Sequence, residues 1–362
     1  MTKPSSPQSA VVRSARRQPL NIGILGLVST ISELRAQVCS ELPGVNLVAL
    51  SDLDVARART TASRLRGVRT VEDPYALVTD PEVDGVVVGT PCAHHERFAM
   101  AAMEAGKHVL CEKPLAPTVA ACERLVAAAD KHDVRLGVSF HLRQTLAARK
   151  AKQLVDSGAL GRVDHVRAFH GHSGTEYFGP DFKVDARTTG GGTLMDGGNH
   201  FVDMVRWFLG DVERATGVGT EGVWKQPGCE DNGYLLLQSA DGRVGTLHAS
   251  WTEWRGYRYQ VEVYGEAGYV RFGYSPLWLT HASGQRGERM RARRTFFPVY
   301  QVIERLRGWR WSLRNMLRGD LNDWVSAVAK GVSPAANGRD GLEAVRWAQC
   351  LERRSTSGEA QL

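Results

Sequence analysis

The sequence has no apolar run approaching the roughly 20 residues needed to cross a membrane, so we expect no membrane span. It also lacks a Cys-x-x-Cys pair, and its six cysteines are scattered along 362 residues. Neither a zinc site nor a disulfide framework is indicated, so we expect no metal and a reducing, cytoplasmic environment. No segment of the chain repeats.

The two ends of the chain carry little structural signal. Residues 1–18 are rich in Ser, Arg, Gln and Pro without periodicity, and they predict a disordered tail; residues 355–362 predict a frayed one. Arg16-Arg17 ahead of an apolar stretch resembles a twin-arginine export signal. That stretch is short and lacks a clear cleavage site, and the first strand of a fold explains it better.

Positive charge is concentrated in one segment. The net charge is +7, while residues 285–318 alone hold ten arginines and two glutamates. The rest of the chain is therefore about neutral, and we expect no nucleic-acid partner. Three interpretations of the segment stay open. It is a solvated basic face or subunit contact, a site for a phosphate-bearing substrate, or a surface for an anionic membrane or nucleic acid.

The pattern of apolar residues divides the chain into two domains, as a length of 362 residues suggests. Up to residue 140, apolar runs at 21–27, 45–50, 83–88, 108–111 and 136–139 are separated by helical patterns. Such an order predicts a doubly wound parallel sheet covered on both faces. Beyond residue 143, runs of period two predict an open, mostly antiparallel sheet, interrupted by a helix over 193–209. The expected fold is α/β, with domains over 19–140 and 141–354.

The first strand–helix junction partly fits a dinucleotide-binding loop, which has the pattern Gly-x-Gly-x-x-Gly. Gly26 matches the first glycine, but Val28 replaces the second. The hydroxyls of Ser29 and Thr30 are candidates for phosphate contacts, with a helix cap as the alternative.

The second strand ends at an acidic residue. Asp52 can hydrogen-bond the ribose of NAD and repel the 2′-phosphate of NADP, or it is a turn residue. Arg57 and Arg59 follow closely, so NADP stays open.

Three further segments carry a specific resemblance. They are Thr90-Pro91-Cys92-Ala93-His94-His95, then Ala105-Gly106-Lys107-His108-Val109 leading to Glu112-Lys113-Pro114, and finally the stretch 190–203 with its three glycines, Asp196 and His200. In order and spacing they are similar to the signature of the glucose–fructose oxidoreductase / inositol dehydrogenase (Gfo/Idh/MocA) family, over roughly residues 20–355.

The resemblance implies a site. Lys113, Asp196 and His200 are the expected catalytic residues, and the helix bearing the last two is expected to face the nicotinamide. On the predicted helix Asp196 and His200 are four residues apart and share a face. The expected cofactor contacts are Gly26, Ser29, Thr30, Asp52, Thr90, Pro91, His95, Glu112 and Lys113. Substrate contacts are expected from His141, Arg143, Tyr177 and Asn199.

The resemblance also implies an activity: hydride transfer between NAD, or NADP, and a ring hydroxyl or ketone of a sugar, nucleotide sugar or cyclitol. His200 would serve as general base because an ordinary imidazole titrates near neutrality, and Lys113 would stabilise the reacting oxygen. NAD-assisted glycoside cleavage and a non-catalytic dinucleotide-sensing role stay open as alternatives. The family further implies a homodimer or homotetramer formed through the open sheet.

Overall fold

The computed structural model describes residues 19–27, 29–174, 185–274, 276–284 and 290–352. Both predicted tails, the loop residue Val28 and the predicted substrate contact Tyr177 lie outside these ranges. Across the described ranges, no helix combines the length and apolarity that a membrane span requires.

The first domain is built on a six-stranded sheet in the order β3-β2-β1-β4-β5-β6, with every neighbouring pair parallel. Its strands are β1 Leu20–Leu25, β2 Val45–Ser51, β3 Arg69–Thr70, β4 Gly85–Val88, β5 His108–Glu112 and β6 Leu136–Ser139. Its helices are α1 Thr30–Glu41, α2 Val55–Ser63, α3 Pro74–Val78, α4 His95–Glu104 and α5 Val119–Lys131. The order reverses between β1 and β4, so ligands bind beyond the carboxyl ends of these two strands.

Polar caps set where several helices begin. Thr118 precedes α5 and its hydroxyl accepts a hydrogen bond from the backbone N–H of Ala121 at 3.2 Å. Thr145 caps α6 (Leu146–Asp156) in the same way through Ala148. These oxygens satisfy amide groups that a helix start leaves unpaired.

The second domain is a nine-stranded sheet in the order β14-β13-β12-β11-β7-β10-β9-β8-β15. Its strands are β7 Val163–Gly171, β8 Arg214–Thr220, β9 Asn232–Gln238, β10 Val244–Ser250, β11 Arg258–Gly265, β12 Gly268–Tyr274, β13 Trp278–Ser283, β14 Arg293–Thr295 and β15 Leu351–Glu352. Pairing is antiparallel except for β7–β10 and β8–β15. Its first helices are α6, α7 Ala186–Thr189 and α8 Gly197–Leu209. Both parts of the predicted fold class are therefore confirmed.

Three helices complete the fold, and the second and third of them pack on the first domain. They are α9 Pro298–Arg307, α10 Trp309–Lys330 and α11 Gly338–Ala348. Trp324 of α10 packs so closely on the first sheet that a Cβ added at Gly85 or Gly137 would lie 2.7 Å from its ring. Val138 of β6 donates a backbone hydrogen bond to Ala336 at 3.0 Å. These contacts hold the two domains together beneath the cleft.

Candidate active site

Lys113 lies at the carboxyl end of β5, where the chain turns out of the sheet. The peptide bond from Lys113 to Pro114 is cis. The Lys113 Nζ donates to the backbone oxygen of Asp196 at 3.0 Å and to the Asp196 carboxylate at 3.2 Å. The structure thus joins two of the three predicted catalytic residues across the two domains.

Asp196 stands just before α8, and this corrects the predicted helix over 193–209. Residues 193–196 form a turn, and α8 begins at Gly197, so Asp196 and His200 do not share a helical face. Glu230 fixes the turn ahead of the helix, because its two carboxylate oxygens accept the backbone N–H groups of Gly192 and Leu194 at 2.9 and 2.8 Å. Asp196 itself has a ψ of −105°, outside the helical range, so the helix starts only after it.

The Asp196 carboxylate has further partners from the second sheet. Trp251, just after β10, donates its indole N–H to Asp196 Oδ2 at 3.3 Å. His172 Nε2 lies 3.7 Å from the same oxygen. Burial opposes ionisation of this carboxyl, but the charge of Lys113 and the His172 imidazole outweigh it and hold the pKa of Asp196 well below its usual range. The Asp196 side chain is still 46% exposed, so the anion borders an open cleft.

His200 lies one turn into α8, beneath this pair, and is 6% exposed. Its ring meets those of His141 and Phe140 edge to face, at centroid distances of 4.7 and 5.8 Å. Burial, followed by the nearby His141 and Lys113, lowers the pKa of His200 well below its ordinary value. Burial likewise lowers the pKa of His141 to about 4 and that of His170 to about 3. At neutral pH these three rings are uncharged.

The buried neutral histidines predict a loss of stability in acid. The pKa of His170 is about 3 when folded and near 6.5 when unfolded, so the unfolded chain takes up the proton first as the pH falls below 6.5. We expect the wild type to lose roughly 2–3 kcal/mol more unfolding free energy between pH 7 and pH 4.5 than His170→Phe does.

Urea denaturation at several pH values measures that difference. His132→Phe, at the partly exposed end of α5, is the matched control and should keep the wild-type slope. Equal slopes for the wild type and His170→Phe would show that His170 is not held neutral by the fold.

The dinucleotide edge is built where β1 meets β4. Gly26 has φ +91°, and a Cβ there would lie 2.5 Å from the backbone nitrogen of Thr90, so both conformation and space call for glycine. The Thr90 hydroxyl is buried and has no hydrogen-bond partner among the described residues, and Pro91 follows it at the same strand end. A narrow cradle with an orphaned buried hydroxyl fits a pyrophosphate approaching the amino end of α1.

Two predicted cofactor contacts have local partners of their own. The Ser29 hydroxyl caps α1 by accepting a hydrogen bond from the backbone N–H of Ser32 at 3.2 Å, so Ser29 has the helix-cap role that the sequence left open as an alternative to a phosphate contact. Thr30 is the first residue of the helix. Asp52 accepts the backbone N–H groups of Leu27 and Asp54 at 2.5 and 2.8 Å. Asp52 therefore fastens the loop after β1 to the end of β2, beside the position expected for a ribose.

His95 and Glu112 do not face the cofactor edge, contrary to expectation. The two ring nitrogens of His95 lie 2.7 Å from the Thr90 carbonyl and 2.9 Å from that of Pro114, so His95 ties the two motifs together. Burial opposes ionisation of Glu112, but Arg35 outweighs it and lowers the pKa of that carboxyl. Glu112 is thereby committed to the interior of the domain.

Arg143 is the clearest departure among the predicted substrate contacts. Its Nε donates to Asp203 Oδ2 at 2.7 Å, its Nη2 to Asp203 Oδ1 at 2.5 Å, and its Nη1 to the carbonyl of Ala335 at 2.6 Å. With its donors engaged inside the protein, it docks α8 and is not free for substrate.

The remaining predicted substrate contacts lie close to His200. Asn199, its neighbour in α8, is fully buried, and its amide oxygen and nitrogen have no partner among the described residues. His141 is buried against the His200 ring.

The arginine-rich segment lies elsewhere. Arg293 and Arg294 belong to β14, the edge strand, which is four places from β7 with its site histidines. Arg314 and Arg318 of α10 pair with Glu41 of α1. These four arginines of the segment are therefore engaged away from the cleft.

Several site residues were missed from the sequence. Each of them contacts a predicted site residue or the turn that carries one; they are Trp251, His170, His172, Glu230 and Arg35. His170 and His172 offered a signal, because residues two apart at a strand end share one face. Glu230, Trp251 and Arg35 had none, since their partners are distant in the chain.

Taken together, the doubly wound domain, the cradle at the β1–β4 switch point and the Lys113–Asp196 pair above it define a nucleotide-dependent oxidoreductase. Comparison with known proteins agrees. Residues 20–140 match the family model described as "Oxidoreductase family, NAD-binding Rossmann fold", and residues 148–271 match the Gfo/Idh/MocA C-terminal domain. The chain belongs to the Gfo/Idh/MocA family.

Individual relatives extend over nearly the whole chain. "Inositol 2-dehydrogenase 2" of Saccharopolyspora erythraea is 30% identical over 94% of this chain and 95% of its own length. "Myo-inositol 2-dehydrogenase" of Thermotoga maritima is 28% identical over 90% and 93%. The structure of GenD2 from gentamicin A biosynthesis in complex with NAD is similar with a TM-score of 0.74, at 26% identity and 96% coverage of both chains.

Proposed function

We propose that this chain oxidises a ring hydroxyl of an uncharged cyclic polyol, either a cyclitol or a sugar, with NAD as the hydride acceptor. The observation that carries the proposal is the Lys113 ammonium, held at the end of β5 and 3.2 Å from the Asp196 carboxylate, above the neutral His200. Relatives named inositol 2-dehydrogenases support a cyclitol.

Lys113 has the role of stabilising the reacting oxygen. Only 15% of the Lys113 side chain is exposed, so its charge is weakly screened. An ammonium hydrogen-bonded to the substrate hydroxyl stabilises the alkoxide character that develops as the hydride leaves. Asp196 keeps the ammonium aimed into the cleft.

His200 has the role of proton acceptor. The buried Nδ1 of its ring has no partner among the described residues, so we assign the substrate proton to Nε2. Burial makes the imidazolium costly, and the neighbouring negative charge of Asp196 partly offsets that cost. The bound nicotinamide supplies the hydride chemistry, while the protein orients the hydroxyl and removes its proton.

The charge of the cleft supports an uncharged substrate. Lys113 and Asp196 cancel each other, and three of the surrounding histidines are neutral. Arg293 and Arg294 lie on the edge strand β14, and Arg314 and Arg318 pair with Glu41, so these four arginines are not placed to hold a phosphate at the cleft. A phosphorylated substrate, left open by the sequence, therefore finds no cation other than Lys113 among the described residues of the cleft.

The cofactor edge supports NAD over NADP. Asp52 places a buried carboxylate at the end of β2, and such a carboxylate repels a 2′-phosphate. Gly26 and Thr90 would hold the pyrophosphate, and Asn199 offers an unpaired amide on the helix that faces the nicotinamide.

The proposal is tested by following NADH formation from NAD across inositols, cyclic sugars and their monophosphates. We expect turnover with at least one uncharged polyol and a kcat/KM at least about tenfold lower for its monophosphate, because a buried phosphate would lack a partner. Turnover restricted to phosphorylated substrates would contradict the neutral-cleft argument and favour the arginine-rich segment.

We also propose a homo-oligomer formed through the outer face of the nine-stranded sheet. Val218, Tyr234 and Leu236 are exposed there on neighbouring strands β8 and β9, and Tyr234 stacks on His248 of β10. An apolar sheet face of this kind is typically covered by a partner. Light scattering on the purified chain decides between this assembly and a monomer.

A further inference from the structure

A buried guanidinium lies directly behind the Lys113 turn. Arg35 belongs to α1 and is only 1% exposed. Its Nη2 and Nε lie 2.7 and 3.1 Å from the same oxygen of Glu112, and its Nη1 lies 3.1 Å from the carboxylate of Asp320. Its Nη2 also donates to the hydroxyl of Ser139 at 2.5 Å. One arginine thus joins the carboxyl ends of β5 and β6 to α1 and α10.

Two carboxylates interact electrostatically with the Lys113 ammonium. One is Glu112, inside the first domain, and the other is Asp196, at the cleft. Opposite charges attract strongly where water is excluded, and an unpaired Glu112 would draw the ammonium away from the cleft. The Lys113 charge is indeed among the influences that favour the Glu112 carboxylate, after burial, Arg35 and His141.

We propose that Arg35 is a positioning residue for the reaction. By occupying Glu112 it leaves the Lys113 ammonium to Asp196 and to the reacting oxygen of the substrate. This role rests on the proposed function, since it acts through Lys113. It goes beyond a structural ion pair because it determines which carboxylate the ammonium contacts.

The test compares Arg35→Met with two double variants. Both Arg35→Met/Glu112→Gln and Arg35→Met/Asp320→Asn remove one of the two buried carboxylates that Arg35 neutralises. Both should regain stability for that reason. Only the first removes the competitor for Lys113, so the second is the matched control.

We expect kcat to fall about 10- to 100-fold in Arg35→Met, with the KM for the polyol and the affinity for NADH changed less than about threefold. Glu112→Gln in that background should restore most of kcat, whereas Asp320→Asn should restore stability alone. Equal recovery of kcat in both double variants, or an unchanged kcat in Arg35→Met, would overturn the proposal. Should Arg35→Met not yield folded protein, Arg35→Gln takes its place, because glutamine keeps a polar donor in the interior but lacks the charge that neutralises Glu112.

A second readout needs no substrate. Acetic anhydride acylates free amines, so its rate of reaction at Lys113, followed by mass spectrometry at one fixed pH, reports how firmly the ammonium is held. We expect severalfold slower labelling in Arg35→Met and recovery with Glu112→Gln. If the wild type oxidises no polyol, the proposed function is wrong. If Lys113 is labelled at the same rate in Arg35→Met as in the wild type, the inference about Arg35 is wrong.

Discussion

Replacing Lys113 with Met should lower kcat by about 10³-fold while the affinity for NADH stays within a few-fold of the wild type. Met keeps the length and apolar stem of lysine but removes the charge that stabilises the reacting oxygen. It also leaves Asp196 without its partner at 3.2 Å, so both the electrostatic stabilisation and the orientation of the cleft are lost. Steady-state kinetics and NADH fluorescence titration measure the two effects separately.

Lys107 provides the matched control for this substitution. It lies just before β5, at the opposite end of that strand from Lys113 and Asp196, and it is partly exposed. Lys107→Met should leave kcat and NADH affinity unchanged. A Lys113→Met variant with near wild-type turnover would remove Lys113 from the reaction, whereas a joint loss of turnover and NADH binding would show a collapsed cofactor edge.

Replacing Arg143 with Met should destabilise the protein by about 3–5 kcal/mol, the cost typical of leaving a buried charge without its partner. The stranded charge is that of Asp203, which is fully buried in α8 and accepts two guanidinium hydrogen bonds. Because α8 also carries His200, a shift of this helix would reach the site. Urea denaturation followed by circular dichroism measures the loss.

The double variant Arg143→Met/Asp203→Leu removes both charges and should recover much of the lost stability. Arg149→Met, on the exposed side of α6, is the control and should be neutral. The competing interpretation, a substrate contact, requires a different result: unchanged stability with a KM raised tenfold or more.

The sequence predicted the framework of the site because its motifs sit at strand ends. Buried strands alternating with helices indicated the parallel sheet, and the carboxyl ends of such strands meet along one edge. That geometry brought Gly26 against Thr90 and placed Lys113 beside them, as the spacing of the motifs implied. Local pattern was sufficient wherever the relevant partner lay at a neighbouring strand end.

The sequence did not predict interactions that depend on distant partners. The turn over residues 193–196 is one example, because the Glu230 carboxylate holds the amides of Gly192 and Leu194 from 38 and 36 residues further along the chain. From the sequence alone, Arg35 would be interpreted as a solvated helix residue. Its partner Asp320 lies 285 positions further along the chain, and no residue near Arg35 indicates that contact. Arg143 was predicted as a substrate contact because its position matched one in the family. Only the structure shows that its guanidinium N–H groups are already bonded to Asp203.

The central claim is that a hydride passes directly from a ring carbon of a polyol to NAD, while His200 takes the hydroxyl proton, Lys113 stabilises the reacting oxygen and Asp196 holds Lys113 in place. The direct measurement uses a polyol turned over by the wild type, deuterated at the reacting carbon, in a single turnover with excess enzyme and NAD. Mass spectrometry of the nicotinamide should find the deuterium in NADH with the wild type and, over the same interval, about a thousandfold less with Lys113→Met. Equal deuterium transfer by the two proteins, or NADH formed without deuterium, would contradict the claim.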